Sequence, residues 1–232
     1  MLDKFTTPLK EFGIFAGALY LLDRLLAGIS PNLRLFCYEL MVQPIPDKPM
    51  FPVSMTKSLD IREIKRGDPE LDLMPVPPEI IEFRLKQNAI CLGVFKKAKF
   101  IGYIWFRFGA YEEDEVRCAF LLVPENEAVF DFDLYLFPEH RLGLGFIGIW
   151  EKANKFLYER GIRYTFSRLT RFNLASRKAH NHLGWKRVGQ AFFLKAWRLE
   201  LMISTIAPYL GLSLGESGRI NLKLRPDVLR KG

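Results

Sequence analysis

Residues 138–145 read Pro138-Glu139-His140-Arg141-Leu142-Gly143-Leu144-Gly145. They stand between two segments of different periodicity. Before them, Ala128–Phe137 alternates like a strand, with Asp131, Asp133 and Tyr135 on one face and Phe132, Leu134 and Leu136 on the other. After them, Phe146, Ile149, Trp150, Ala153, Phe156 and Leu157 recur at helical spacing as far as Arg160, where Gly161 supplies a stop. A strand that passes through a basic, glycine-bearing turn into a helix aims unpaired backbone N–H groups and the positive helix end at an anion. Glycine pairs are common. This one gains meaning from its position between strand and helix, although a merely structural turn would look the same.

Downstream, Ile162–Leu169 reads as a strand, and Asn173–Leu183 as a helix with Asn173 as its N-cap. That helix carries Ser176 and His180 and ends at Gly184-Trp185. Upstream, Leu59–Lys65 reads as a strand and Pro78–Gln87 as a helix. Ile90–Phe95 and Phe100–Phe108 form a hairpin about Lys96–Lys99, and Glu115–Val123 is a further strand. Gln190–Leu201 reads as one final long strand, and residues 202–232 show too little periodicity to place.

The N-terminal region is different in kind. Residues 8–29 read as one helix, apolar around most of its circumference, which implies burial against the protein, a partner or a lipid surface. Its apolar stretch Phe12–Ile29 is 18 residues long, at the lower limit for a spanning helix, and the central Asp23-Arg24 pair makes spanning costly. It also lacks a small-residue cleavage pattern. Pro44, Pro46, Pro49 and Pro52 mark residues 43–57 as an extended linker. The expected organisation is therefore an N-terminal helix and linker over 1–57, a main domain over 58–201 and a tail over 202–232.

Composition narrows the class. With 49% hydrophobic and 26% charged residues among 232, a substantial core forms and global disorder is excluded. The net charge of +8 favours anionic partners. The lysines and arginines are scattered, with no run longer than Lys96-Lys97, so no nucleic-acid stripe is expected. Cys37, Cys91 and Cys118 share no metal-like spacing, so no metal is expected. An odd cysteine count without a disulfide framework suits a reducing compartment, and the expected location is cytoplasmic, with the N-terminal helix able to meet the inner membrane.

The order strand, Pro-Glu-x-Arg turn, helix, strand, Asn-led helix and Gly-aromatic resembles the GNAT acyltransferase superfamily over roughly residues 58–201, with the specific part confined to 129–189. The resemblance implies an α/β (α+β) fold. Its mixed, mostly antiparallel central sheet would be flanked by helices, here with the N-terminal helix added. It further implies that acyl-coenzyme A, acetyl-CoA in the simplest case, enters beside the strand before the turn. The pyrophosphate would rest on the turn and an amine or amino-sugar acceptor would take the acyl group. The residues implied to hold the acyl donor are Phe137, His140, Arg141, Leu142, Gly143, Leu144, Gly145 and Phe146, with Asn173 and Ser176 on the next helix.

Two departures matter. The family turn reads Gln-or-Arg-x-x-Gly-x-Gly-or-Ala. Registered on the glycines, His140 takes the first position; registered on Pro138-Glu139-x-Arg141, Arg141 takes it and the glycines fall one residue early. The family segment Asn-x-x-Ala-x-x-x-Tyr-x-x-x-Gly-Phe appears here as Asn173, Ser176, His180, Gly184 and Trp185. His180 therefore stands where a tyrosine often protonates the leaving thiolate. With a pKa near ~6.5, a histidine can take that role. An ammonium acceptor must also lose a proton, and Asp131, Asp133 and Glu139 are the candidate bases, with a solvated strand face as the alternative. Ser167, Arg168 and Arg171 could face an anionic acceptor or a solvated loop. The implied activity is N-acyl transfer. The competing readings are a long-chain N-acyltransferase, a non-catalytic adaptor of the same fold in an envelope or polysaccharide pathway, and a membrane-associated scaffold. The N-terminal helix is read as packing on the domain, on a dimer partner or on a membrane surface.

Overall fold

A computed structural model describes residues 3–141, 145–215 and 218–231. In chain order the elements begin with α1 (Asp3–Phe12), α2 (Ile14–Ile29), β1 (Leu33–Pro44), α3 (Val53–Thr56), β2 (Leu59–Ile64), α4 (Pro78–Lys86), β3 (Ile90–Lys96) and β4 (Lys99–Phe108). Next come β5 (Tyr111–Glu112), β6 (Cys118–Leu122), β7 (Ala128–Leu136), α5 (Gly145–Tyr158), β8 (Tyr164–Thr170) and α6 (Leu174–His182). The chain closes with β9 (Lys186–Ala196), β10 (Leu199–Ser204), β11 (Leu210–Leu214) and β12 (Ile220–Leu224). The expected class, mixed α and β with mostly antiparallel strands flanked by helices, is what forms. Two compact units arise: residues 44–111 with 122–166, and residues 1–43 with 112–121 and 167–232.

In the unit of 44–111 and 122–166, β2, β3, β4 and β7 lie side by side and antiparallel. Lys97 and Ala98, both with positive φ (49° and 63°), close the β3–β4 hairpin as the left-handed two-residue turn that matches strand twist. Leu59, Val94, Ile101 and Leu136 pack against Ile149 of α5 on one face. On the other face the buried Arg84 of α4 lies over the rings of Trp105 and Phe132, at 5.7 and 5.2 Å.

In the unit of 1–43, 112–121 and 167–232, β1 runs antiparallel to β9 from Leu33↔Ala196 to Val42↔Lys186. On its other side the Cys37 carbonyl accepts from the Arg171 N–H at 2.8 Å. β9, β10 and β11 form a meander. Helix α2 is tied to β1 by Asp23, whose carboxylate accepts from Arg34 Nε at 2.8 Å and from the Leu35 N–H at 2.9 Å.

Three expectations need correction. The single helix over 8–29 is two helices, because Gly13 takes φ 81°, a left-handed conformation that ends α1 before α2 begins. The expected strand 190–201 is the β9–β10 hairpin, turned at Trp197 (φ 53°). The boundary at 57/58 cuts through structure, since β1 precedes the proline-rich stretch and hydrogen-bonds to β9. Residues 202–232, unplaced from sequence, supply the end of β10, then β11 and β12.

Candidate active site

β7 carries the first group of candidates, and its alternation is broken. Across to β4, Trp105 pairs with Phe132 but Tyr103 pairs with Tyr135, so β7 spends one extra residue between them. Asp133 sits in that bulge with φ 51°. The ring pairs Trp105–Phe132 (6.3 Å) and Tyr103–Tyr135 (5.6 Å) fix Phe132 and Tyr135 on the face toward α4. Asp133 joins that face, accepting from Arg84 Nη1 at 2.5 Å and from the Tyr103 hydroxyl at 3.4 Å. Asp131, one residue before Phe132, therefore points to the opposite face and is buried. The expected pairing of Asp131, Asp133 and Tyr135 on one face is overturned by that extra residue. Burial, with the Asp133 carboxylate adding to it, pushes the Tyr103 phenol up, so it stays a hydrogen-bond donor. Past the bulge, residues 133–135 are half-buried, whereas 128–132 are buried.

The second group is the turn. The Phe137 N–H donates to the Ile101 carbonyl at 3.0 Å, extending the β4 pairing, and its ring meets Phe100 and Tyr135 edge-on. Arg141 is exposed, donates from Nε to the Leu136 carbonyl at 2.9 Å, and holds its guanidinium 5.1 Å from the Tyr135 ring centre. That brace fixes a positive charge just ahead of α5. Gly145 opens the helix where a Cβ would come within 2.7 Å of the His140 carbonyl oxygen, so no larger residue fits the path. Phe146 packs against the Leu59–Ile149 cluster. His140 lies 3.8 Å from Glu139. Glu139 is exposed; a backbone hydrogen bond and Lys99 hold its carboxyl below the usual range. Leu142, Gly143 and Leu144 lie outside the described residues, so the choice between the two motif registers stays open.

Asn173, Ser176 and His180 belong to the other unit. Asn173 caps α6, its Oδ1 accepting from the Ser176 N–H at 3.0 Å. His180 is buried, with its ring 5.0 Å from Trp185 in an edge contact. Its Nδ1 lies 2.7 Å from the Ser176 carbonyl, which can only accept, so Nδ1 carries the proton. Burial lowers the His180 pKa and keeps the ring neutral, with its lone pair on Nε2. That tautomer suits a proton acceptor. The expected role as proton donor to a leaving thiolate requires a second ring proton, which burial opposes.

Ser167 and Arg168 do not present themselves to an acceptor. Ser167 is buried. Arg168 grips Glu113 through Nε and Nη2 at 3.0 and 2.6 Å, reaches Glu115 at 2.8 Å, and lies 4.8 Å from the Tyr38 ring centre. Arg171 stacks on Phe15 at 5.7 Å. The Glu113 cluster was missed from sequence, because Glu112-Glu113-Asp114-Glu115 looks like a solvated acidic turn. Instead burial pushes the Glu113 carboxyl up to about 7 against the pull of Arg168, with Asp114 and Glu115 adding to the rise. The cysteines are buried and free, and burial pushes the Cys37 thiol up to about 12. Among the described residues no group of three His, Cys, Asp or Glu side chains could hold a metal ion.

No protein-family model matches the sequence, and no curated protein matches it. Solved structures of similar shape include a conserved protein of unknown function from Staphylococcus epidermidis. It is 12% identical, with 76% of this chain and 67% of that chain covered and a TM-score of 0.46. A GCN5-related glucosamine N-acetyltransferase region of a fungal multi-domain beta-N-acetylglucosaminidase is 14% identical, with 72% and 22% covered and a TM-score of 0.46. A tandem GNAT protein from the clavulanic acid biosynthesis pathway is 12% identical, with 66% and 50% covered and a TM-score of 0.42. The chain thus spans half or less of the last two proteins. Likeness at this level assigns neither a reaction nor a substrate to this chain.

Proposed function

We propose that this chain is a GNAT-type N-acyltransferase that moves an acyl group, acetyl in the simplest case, from acyl-coenzyme A to the amine of a small acceptor such as an amino sugar. The observation that carries this reading is the passage from the Asp133 bulge through the braced Arg141 to the start of α5. A bulge frees strand backbone from its ladder. In this reading the N–H groups of residues 133 and 134, which the β4 register skips, pair with the donor and polarise its thioester carbonyl. The pyrophosphate rests at the N-terminus of α5 beside the Arg141 guanidinium, and Gly145 lets it approach the backbone closely.

In the reaction, the neutral amine nitrogen attacks the thioester carbon, the C–N bond forms, the C–S bond breaks, and the nitrogen gives up a proton as the thiolate gains one. Asp133 is not the base in this account, because Arg84 and Tyr103 already hold its carboxylate. Glu139 is a poor base, being held below the usual range. Water takes the proton that the nitrogen gives up and protonates the thiolate, a good leaving group. The expected location is cytoplasmic; among the described residues no helix is long and apolar enough to cross a membrane.

A second reading, a non-catalytic adaptor that binds coenzyme A, is favoured by the commitment of Asp133 and Glu139 to Arg84 and Lys99. Native mass spectrometry of the purified chain with acetyl-coenzyme A, followed by thiol release across a panel of amines and amino sugars, separates the two. Binding with thiol release supports the transferase. Binding without release from any amine supports the adaptor, and no binding removes both.

A further inference from the structure

Strands in a folded chain normally turn apolar side chains inward and polar ones to water. β10 and β11 do the reverse. On β10 the polar Glu200 and Ser204 are buried beside Met202, while Leu201 and Ile203 are exposed. On β11 Ser213 is buried, while Leu210, Leu212 and Leu214 are 64–73% exposed. The register places Leu201 opposite Leu212 and Ile203 opposite Leu210, so these side chains form one continuous sheet face. Leu194 and Phe192 of β9 extend it, opposite Leu201 and Ile203.

Helix α2 repeats the inversion and adjoins the same face. Its one acidic residue, Asp23, is buried on Arg34 and β1, whereas Phe15, Leu22, Leu25 and Ile29 recur at helical spacing and are exposed. The Phe15 ring meets Phe192 at 6.2 Å, which joins the helical stripe to the sheet. Among the described residues, every exposed large apolar side chain other than Leu73 and Tyr158 lies on α2 or between Trp197 and Leu214. A patch this concentrated marks a surface that is covered in use.

Charge names the cover. α2 and residues 186–214 contain two acids, Asp23 and Glu200, and both are buried on cationic partners. Arg24 and Arg198 are exposed on the same elements, and the exposed Trp197 and Tyr209 mark the two turns that bound β10. Apolar side chains rimmed by cations and by amphipathic aromatics fit the headgroup boundary of an anionic bilayer. A second copy of this chain would bring the same cations together. We propose that the α2 stripe and the outward face of β9–β11 form a membrane-binding surface that seats this protein peripherally on anionic lipid. Side chains enter the acyl boundary while the backbone of the outermost strand, β11, stays among the headgroups, where its polar groups are hydrated. This stands independently of the acyl-transfer reading.

The test is co-sedimentation of the full chain with vesicles of phosphatidylcholine alone and of phosphatidylcholine mixed with phosphatidylglycerol. Binding to the mixed vesicles is expected to be at least about tenfold tighter than to the neutral ones. The combined variant Leu210→Gln, Leu212→Gln and Leu214→Gln should lose at least about tenfold in affinity, because it removes exposed apolar area and no core contact. Its melting profile should match that of the parent. Arg24→Glu with Arg198→Glu should reduce binding on mixed vesicles to the neutral level. Failure of the parent to sediment with either vesicle overturns the proposal, as does unchanged binding by the leucine variant. A lipid-free dimer that the leucine variant dissociates also overturns it and assigns the face to a second copy.

Discussion

β7 and β10 are both strands whose alternation departs from the ordinary pattern, and they depart in opposite ways. In β7 an extra residue rotates Asp133 onto an aromatic face and into the hold of Arg84, so a charge is turned inward and neutralised. In β10 the alternation is regular, but Leu201 and Ile203 face out while Glu200 and Ser204 face in beside Met202. The first departure costs desolvation and is repaid by an ion pair and two rings; the second leaves apolar surface exposed among the described residues. A buried charge with a built partner points to an internal positioning task, and an outward apolar face points to something outside the chain.

The largest effect that could break this contrast falls on the unit that carries the outward face. A chain beginning near Met55 lacks β1, which pairs with β9 along its length. It should lose the part of the cooperative unfolding transition, read by circular dichroism, that belongs to β9–β11. A cooperative melt like that of the full chain would mean that β9–β11 stand without β1.

Next in size is the β7 ion pair. Asp133→Asn removes the ion pair to the Arg84 guanidinium, which is 8% exposed among Trp105 and Phe132. Breaking a buried pair from one side costs about 3–5 kcal/mol, and the partial exposure of Asp133 places this variant at the lower end. Urea denaturation reads it. A loss within about 0.5 kcal/mol, the scale of an ordinary surface substitution, would show that Asp133 is not holding the bulge.

A smaller, pH-dependent effect belongs to Glu113. Its carboxyl binds a proton up to about 7 in the folded chain, against an ordinary glutamate value of 4.5. Between those values the folded chain holds the extra proton, so this contribution to stability is complete below 4.5 and is lost as pH rises to about 7. Glu113→Gln should flatten that slope in denaturant midpoints measured across the interval. An unchanged slope would put the titrating group elsewhere.

Much of the frame was legible because local signals agreed with the fold. The β3–β4 hairpin, α5 ending near Gly161, and the Asn173 cap each rest on periodicity or a terminal residue that the structure uses as expected. The rest was hidden for identifiable reasons. β1 is buried on both faces from Cys37 to Gln43, so it lacks the alternation that marks a half-exposed strand. The β9–β10 turn falls on Trp197-Arg198, where no glycine or asparagine announces it. The β7 bulge leaves Phe-Asp-Phe-Asp looking regular, so the faces assigned to Asp131 and Asp133 came out wrong. At the candidate site, the basic turn and the capped helix were visible in sequence. The tautomer of His180, set by the Ser176 carbonyl, and the Glu113–Arg168 cluster depend on contacts that only the folded chain makes.

The central claim is that acyl-coenzyme A is held at the entrance to α5, and isothermal calorimetry with coenzyme A tests it most directly. The parent chain should bind. Arg141→Glu should weaken binding several-fold or more, because it sets an anion against phosphate where a braced guanidinium stood within one turn of a helix start. Circular dichroism should show the variant folded like the parent. Absence of binding by the parent, or equal affinity in the folded Arg141→Glu variant, would contradict the account.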